Sequence, residues 1–102
     1  MTIKKYQSFA EFYPFYLSQH QNRTCRRLHF IGSSLILLLI FYCINYSHWQ
    51  GLWFIPFIGY GFAWLGHFIF EKNKPATFTY PIYSLVGDWV MFTDILTRKI
   101  KF

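Results

Sequence analysis

Three histidines and a glutamate stand at the ends of two apolar runs in this sequence. His20 precedes the first run and His29 lies at its start, whereas His67 and Glu71 stand at the end of the second run. Neutral imidazole and carboxylate are the ligands of non-haem Fe(II) oxygenases, and zinc accepts the same set. The spacing of His67 and Glu71 also suits an ordinary hydrogen bond at a helix end. A single histidine in an apolar run, such as His29, is often a buried residue whose ring nitrogens are hydrogen-bonded within the protein. The pattern predicts a metal site if the fold brings these residues together.

Two apolar runs, residues 28–46 and 52–70, would position these side chains. At about 1.5 Å per helical residue, each can cross a hydrocarbon core of about 30 Å. The link, residues 47–51, is short enough to force an antiparallel transmembrane hairpin. The start of the first run and the end of the second then lie at one depth of the membrane, and His48 lies on the opposite side.

Shorter segments flank this hairpin. Residues 8–20 carry aromatic rings at helical spacing, which predicts an amphipathic interfacial helix that Pro14 kinks or divides. Residues 82–96 are apolar but short, and a full crossing would leave a basic tail on the outer face. We therefore expect a short interfacial or re-entrant helix there. The predicted fold is all-α, one small integral membrane bundle over residues 1–102.

The composition agrees with a membrane protein, because aromatic residues make up 25% of the chain and charged residues 14%. The ten Lys and Arg residues flank the apolar runs and none lies in the link, so the positive-inside rule places both termini and the site in the cytoplasm. No basic stripe lies elsewhere, which argues against nucleic acid. We expect no cleavable signal peptide, and we expect Cys25 and Cys43 to be reduced thiols.

Several polar residues surround the predicted metal layer. We expect basic side chains to bind the carboxylate of a fatty acid, namely Arg26, Arg27, Lys72 and Lys74. The alternative for these four is a belt of charges that meets lipid head groups. Asp88 and Asn22 are candidates for hydrogen-bonding groups behind the metal ligands, although Asp88 could equally cap a helix or face water. Cys25 could reach the site, but a small buried thiol is the simpler role.

The chain strongly resembles the DUF962, or Mpo1-like, family in three stretches, which read FYPFYLSQHQN (12–22), RRLHFIG (26–32) and GYGFAWLGHFIFEKNKPATF (59–78). The most specific block is GHxxFEKxxPA. The resemblance implies a membrane dioxygenase that needs Fe(II), depends on histidines and shortens 2-hydroxy fatty acids by one carbon in α-oxidation. It also implies that His20, His29 and His67 are the important histidines. The connection between the blocks is shorter than in eukaryotic members, which suggests a compact prokaryotic form in the bacterial cytoplasmic membrane.

The leading hypothesis from the sequence is an oxygenase with iron on His20, His29 and His67, with Glu71 as a ligand or behind the ligands. Its partners would be a 2-hydroxy fatty acid, dioxygen and membrane lipids. Two other classes of function stay open at this point. One is a haem-binding electron carrier with His29 and His67 as axial ligands. The other is a non-catalytic lipid-binding or assembly protein in which the histidines are structural.

Overall fold

The computed structural model describes residues 6–74 and 78–102, and these are helical with no strand among them. The α-helices are α1 (Phe9–Ser18), α2 (Arg23–Asn45), α3 (Ile55–Leu65) and α4 (Pro81–Leu96). A 3₁₀-helix, Trp49–Phe54, leads into α3, and a π-helix, Gly66–Glu71, follows it. The predicted all-α class is confirmed.

Helix α2 begins before the apolar run does. The side-chain oxygen of Asn22 accepts a hydrogen bond of 3.1 Å from the backbone N–H of Cys25, which is the usual way an Asn caps a helix N-terminus. The polar first turn is therefore helical, although its residues lack the apolar pattern from which a helix would be predicted. The consequence is that Cys25 and His29 lie on the same rigid helix, one turn apart.

Small residues allow α2 to approach α3 and the π-helix closely. A Cβ atom on Gly32 would lie 2.9 Å from the Cβ of Phe62, and a Cβ on Gly66 would lie 2.9 Å from the Sγ of Cys25. The helices can pack this closely only because glycine has no side chain at these two positions. Since Cys25 precedes Gly32 whereas Gly66 follows Phe62, the two packed helices run in opposite directions. The start of α2 thus lies beside the π-helix.

The outer surface of this helix pair is apolar. Two helical segments, Arg23–Asn45 and Trp49–Glu71, are long and apolar enough to cross a membrane. Large side chains on them are exposed, for example Leu38 at 64%, Phe41 at 67% and Phe57 at 76%. A contiguous apolar surface of this kind is typical of a protein that meets lipid or a partner. These properties indicate membrane association.

Helix α1 packs on α4 through an aromatic core. Phe12 and Tyr16 of α1 are buried against Met91 and Ile95 of α4. Gly87 makes room for this contact, because a Cβ there would lie 3.0 Å from the ring of Tyr16. Helix α1 is shorter than predicted, and it continues through Pro14 instead of dividing there. His20 therefore lies in the turn after the helix.

The close packing of α2 predicts different effects for two Gly→Ala substitutions. Gly32→Ala is expected to lower the free energy of unfolding in detergent by about 1–3 kcal/mol, because the new methyl group meets Phe62 near its backbone. Gly61→Ala is the matched control, since nothing lies within 4 Å of a Cβ there and alanine favours the helix. Denaturant titration followed by circular dichroism measures both. Equal stability of the two variants would contradict the packing described.

Candidate metal centre

Three buried imidazole rings meet between α1, α2 and the π-helix. The ring centroids of His20 lie 4.5 Å from His29 and 4.4 Å from His67, and the last two lie 5.1 Å apart. The three residues are only 1%, 8% and 2% exposed, in that order. His20 comes from the turn after α1, His29 from the second turn of α2, and His67 from the π-helix. The structure thus brings together the three histidines of the sequence hypothesis.

The orientation of the His20 ring is fixed by the end of α1. Its Nδ1 lies 2.7 Å from the carbonyl oxygen of Tyr16, and a carbonyl only accepts hydrogen bonds, so Nδ1 carries the hydrogen. The ring also stacks on that of Tyr16, with centroids 4.1 Å apart. Its Nε2 is buried and has no hydrogen-bond partner among residues 6–74 and 78–102. Nε2 of His20 therefore carries a free lone pair, which a nitrogen needs in order to bind a metal ion.

Burial lowers the pKa of His20 to about 3, and the neighbouring His67 acts in the same direction. The hydrogen bond to the carbonyl of Tyr16 opposes this change only partly. The ring is therefore neutral near pH 7. Neutral imidazole is the form that binds a metal ion, so no proton needs to be displaced from Nε2.

The π-helix and the residue that follows it orient His67. Its Nδ1 lies 2.8 Å from Oδ1 of Asn73. The amide nitrogen of Asn73 donates to the backbone and side-chain oxygens of Gln19, at 3.2 and 3.1 Å, so its oxygen must face the imidazole. Nδ1 of His67 is then a donor and Nε2 carries the lone pair. Lys72 makes this geometry possible, because its left-handed backbone (φ 59°) turns the chain back so that the Asn73 N–H reaches the carbonyl of His67.

The Nε2 atoms of His29 and His67 lie 3.3 Å apart. Two nitrogens on one ion, each at about 2.0–2.1 Å, are separated by roughly 2.8–3.0 Å at octahedral angles and roughly 3.3–3.4 Å at tetrahedral angles. A single N–H···N bond could account for this pair, but it would leave Nε2 of His20 unsatisfied. One cation would satisfy all three nitrogens, so the donor set fits a bound metal better than a purely structural cluster.

A thiol completes the group of possible ligands. The ligand atoms of His20, Cys25, His29 and His67 all lie within 4.8 Å of one another. Cys25 is fully buried and unpaired, and it packs against Gly66 at the start of the π-helix. The sequence alone favoured a simple buried thiol, whereas the structure makes Cys25 a candidate fourth donor.

Asp88 and Tyr16 form a polar pair behind the histidines. The Tyr16 hydroxyl donates to Oδ1 of Asp88, and the same oxygen lies 3.7 Å from Nδ1 of His29. Burial raises the pKa of Asp88 to about 6, although the hydrogen bond from Tyr16 acts in the opposite direction. A carboxylate facing the outer nitrogen of an imidazole is the usual arrangement around metal-binding histidines.

Glu71 lies outside the group of possible ligands. Its Oε1 accepts a hydrogen bond from the backbone N–H of Asn22, and the Asn22 amide donates to the carbonyl of Phe70 at 3.3 Å. The carboxylate thus sits at the N-terminus of α2, where free N–H groups and the helix dipole attract negative charge. The predicted ligand role of Glu71 requires α-helical spacing from His67, whereas this segment is π-helical. Asn22 serves α2 as its cap.

The four predicted head-group residues do not reach the histidines' cavity. The guanidinium of Arg26 donates to the carbonyls of His20 and Gln21, at 3.1 and 3.0 Å, and to that of Lys101 at 3.3 Å. Arg27 donates to the carbonyl of Phe102 at 3.3 Å and lies over its ring. The two lysines, Lys72 and Lys74, are exposed. In the structure, the two arginines therefore bind backbone carbonyls and the two lysines face solvent.

A cavity of about 250 Å³ opens beside the imidazoles, between α2, α3 and α4. Its polar side is formed by the three histidines, Asp88, Ser33 and Ser84. Its apolar side includes Ile36, Ile55, Pro56 and Leu85. A pocket with an apolar body and a few convergent polar groups is typical of a small-molecule site.

Sequence reasoning missed two residues that orient the rings. Tyr16 stands four residues before His20, so its helical spacing was a usable signal. Asn73 carried no such signal, because its contact with His67 depends on the π-helix and the reversed chain after it. His48, by contrast, is exposed in the turn after α2 and takes no part in the cluster,.

Removal of the Asn73 amide tests the proposed orientation of His67. Asn73→Ala is expected to weaken metal binding by roughly 10–100-fold, as loss of such an outer hydrogen bond typically does. Asn45→Ala is the control, because this amide contacts only the carbonyl of Phe41 at the far end of α2. Chelator competition with Fe(II) or Co(II) gives the affinities. An unchanged affinity for Asn73→Ala would show that its contact with His67 does not matter for binding.

Comparison with known proteins gives one match. A family model described as "2-hydroxy-palmitic acid dioxygenase Mpo1-like" matches residues 6–100. No curated protein and no solved structure matches the chain. The matched span includes every histidine of the cluster and all four α-helices. The chain belongs to the Mpo1-like family.

Proposed function

We propose that this protein is an Fe(II)-dependent membrane dioxygenase that shortens 2-hydroxy fatty acids by one carbon. The observation that carries the proposal is the convergence of three buried imidazoles beside an apolar-lined cavity. One nitrogen of each ring lies within 4.8 Å of the others, and Nε2 of His20 has no hydrogen-bond partner among the described residues. The family description supports the substrate class and the reaction type.

The proposed ligands are His20, His29 and His67, and Cys25 is close enough to serve as a fourth. Iron bound there would supply the reversible binding and stepwise reduction of dioxygen. We propose that Glu71 acts from outside this set, by holding the start of α2 through Asn22. Three histidines alone would not fill the coordination of such an ion, so exchangeable ligands could bind it as well.

The other residues of the site would hold the ligands and the substrate. Asn73 and the carbonyl of Tyr16 keep two rings in the tautomer with Nε2 free. Asp88 faces the outer nitrogen of His29 and would stabilise positive charge on that ring. The apolar side of the cavity would hold the acyl chain next to C1 and C2 and exclude water from them.

The proposed membrane arrangement is a transmembrane hairpin formed by Arg23–Asn45 and Trp49–Glu71. Arg23, Arg26 and Arg27 begin the first span, and Lys72 and Lys74 follow the second, so the positive-inside rule favours a cytoplasmic metal centre in a bacterial membrane. Helix α4 has 16 residues, which is about 24 Å and short for a full crossing, so we propose that it lies at the interface. Exposed Lys72 and Lys74 would then meet lipid head groups.

The geometry disfavours a haem carrier. Two axial imidazole nitrogens on opposite sides of one haem iron lie roughly 4 Å apart with the macrocycle between them. The Nε2 atoms of His29 and His67 are 3.3 Å apart and their rings nearly touch, so a macrocycle has no room there. The remaining rival is a non-catalytic lipid-binding protein.

Activity with defined metals tests the proposal. The purified protein, loaded anaerobically with Fe(II) and then given 2-hydroxyhexadecanoate and air, is expected to yield a product one carbon shorter. Mass spectrometry detects it, and zinc-loaded protein serves as the inactive control. Absence of an iron-dependent shortened product would refute the reaction.

Ligand substitutions separate the enzyme from the lipid-binding protein. His29→Ala is expected to lower iron content and activity by at least about 100-fold, since it removes a ligand and not an outer contact. His48→Ala should leave both unchanged, because this residue is exposed and outside the cluster. Iron content is measured by mass spectrometry and activity by the assay above. If His29→Ala retains both, the histidines are structural.

A further inference from the structure

Two buried polar side-chain atoms in the described part of the chain have no hydrogen-bond partner. They are Nε2 of His20 and Oγ of Ser84, and both residues line the same cavity. Folded proteins leave few such groups, and water, an ion or a ligand usually satisfies them. The proposed metal accounts for the imidazole nitrogen. It does not account for the hydroxyl.

The Ser84 hydroxyl differs from those of Ser34 and Thr93, two other hydroxyl residues of the helices. Helical Ser and Thr often donate to a carbonyl of the preceding turn. Ser34 does so to Phe30 at 2.9 Å, and Thr93 does so to Trp89 at 2.9 Å. The Ser84 hydroxyl has no such bond, although the residue is only 2% exposed. Its hydrogen is therefore available to a molecule in the cavity.

The surroundings of Ser84 restrict which molecule this could be. Asp88 follows one turn later on α4, and the described lining of the cavity contains neither lysine nor arginine. A carboxylate or hydroxyl entering here would meet the Ser84 hydroxyl, the carboxyl group of Asp88 and the proposed metal, but no cationic side chain. Leu85 and Ile36 contribute apolar surface to the lining of the same cavity. The cavity thus suits an oxygenated head group attached to a hydrocarbon chain.

We propose that Ser84 is a positioning residue that donates a hydrogen bond to a head-group oxygen of the substrate. The inference rests on the proposed function, because it takes a 2-hydroxy fatty acid as the occupant of the cavity. Ser84 replaces the basic residues of the sequence hypothesis as the side chain that holds this head group. It belongs to α4, whereas His29 and His67 belong to α2 and the π-helix.

The test compares Ser84→Ala with wild type in lipid nanodiscs. For iron-loaded protein kept anaerobic, the dissociation constant for 2-hydroxyhexadecanoate is expected to rise about tenfold, the effect of losing one hydrogen bond to a charged group. The melting temperature without fatty acid should stay equal or rise, because the hydroxyl has no partner to lose in the described part of the protein. Thr93→Ala, which removes a helix-bonded hydroxyl from α4, should leave the dissociation constant unchanged.

The outcomes distinguish this inference from the proposed function. A lower melting temperature with unchanged lipid affinity would make Ser84 structural and overturn the inference. Unchanged affinity together with a normal shortened product would overturn it while the dioxygenase stands. Ser84-dependent binding without any iron-dependent product would leave Ser84 as a lipid contact and refute the reaction. If wild type does not bind 2-hydroxyhexadecanoate, both proposals fail.

Discussion

The close approach of the π-helix to the start of α2 is the constraint on which the rest of the structure depends. Gly66 lies against Cys25, and a single methyl group at that glycine would come within 2.9 Å of the sulfur. This contact brings His67 to His29, which is 38 residues away in sequence. Interior packing is dense, so a small separation of the two helices would move the imidazole nitrogens out of range of a common ion.

Hydrogen bonds outside the ring cluster determine what the histidines can do. The carbonyl of Tyr16 and the amide of Asn73 each take the hydrogen of one Nδ1, so the opposite nitrogens face inward with free lone pairs. Asp88 stands behind the third ring at 3.7 Å. Because these partners come from α1, α4 and the turn after the π-helix, assembly of the whole bundle is required before the ligands are oriented. Binding of a metal at this candidate site would therefore be coupled to folding.

The distribution of polarity separates this site from the surface of the protein. The two long helical segments expose large apolar side chains, whereas charged groups cluster at their ends and bind backbone carbonyls or solvent,. The cavity between the helices contains histidine, serine and one carboxylate, with apolar residues beyond them. A lipid could thus place its chain among apolar side chains while its head group stays near the imidazoles.

The helical class and the apolar character of the two long segments could be predicted from the sequence, because both follow from local periodicity, length and composition. The short link between these segments also predicted that distant histidines meet, whereas their depth in a membrane stays a prediction. It also identified the family through the blocks around His20, His29 and His67. The sequence could not show that Glu71 binds the start of α2, that Asn73 orients His67 or that Arg26 holds carbonyls,. Those contacts join residues 5 to 75 positions apart, and the contacts of Glu71 and Asn73 depend on a π-helix that has no local sequence signature. Only the packed tertiary structure decides them, because side-chain partners are set by which helix faces meet.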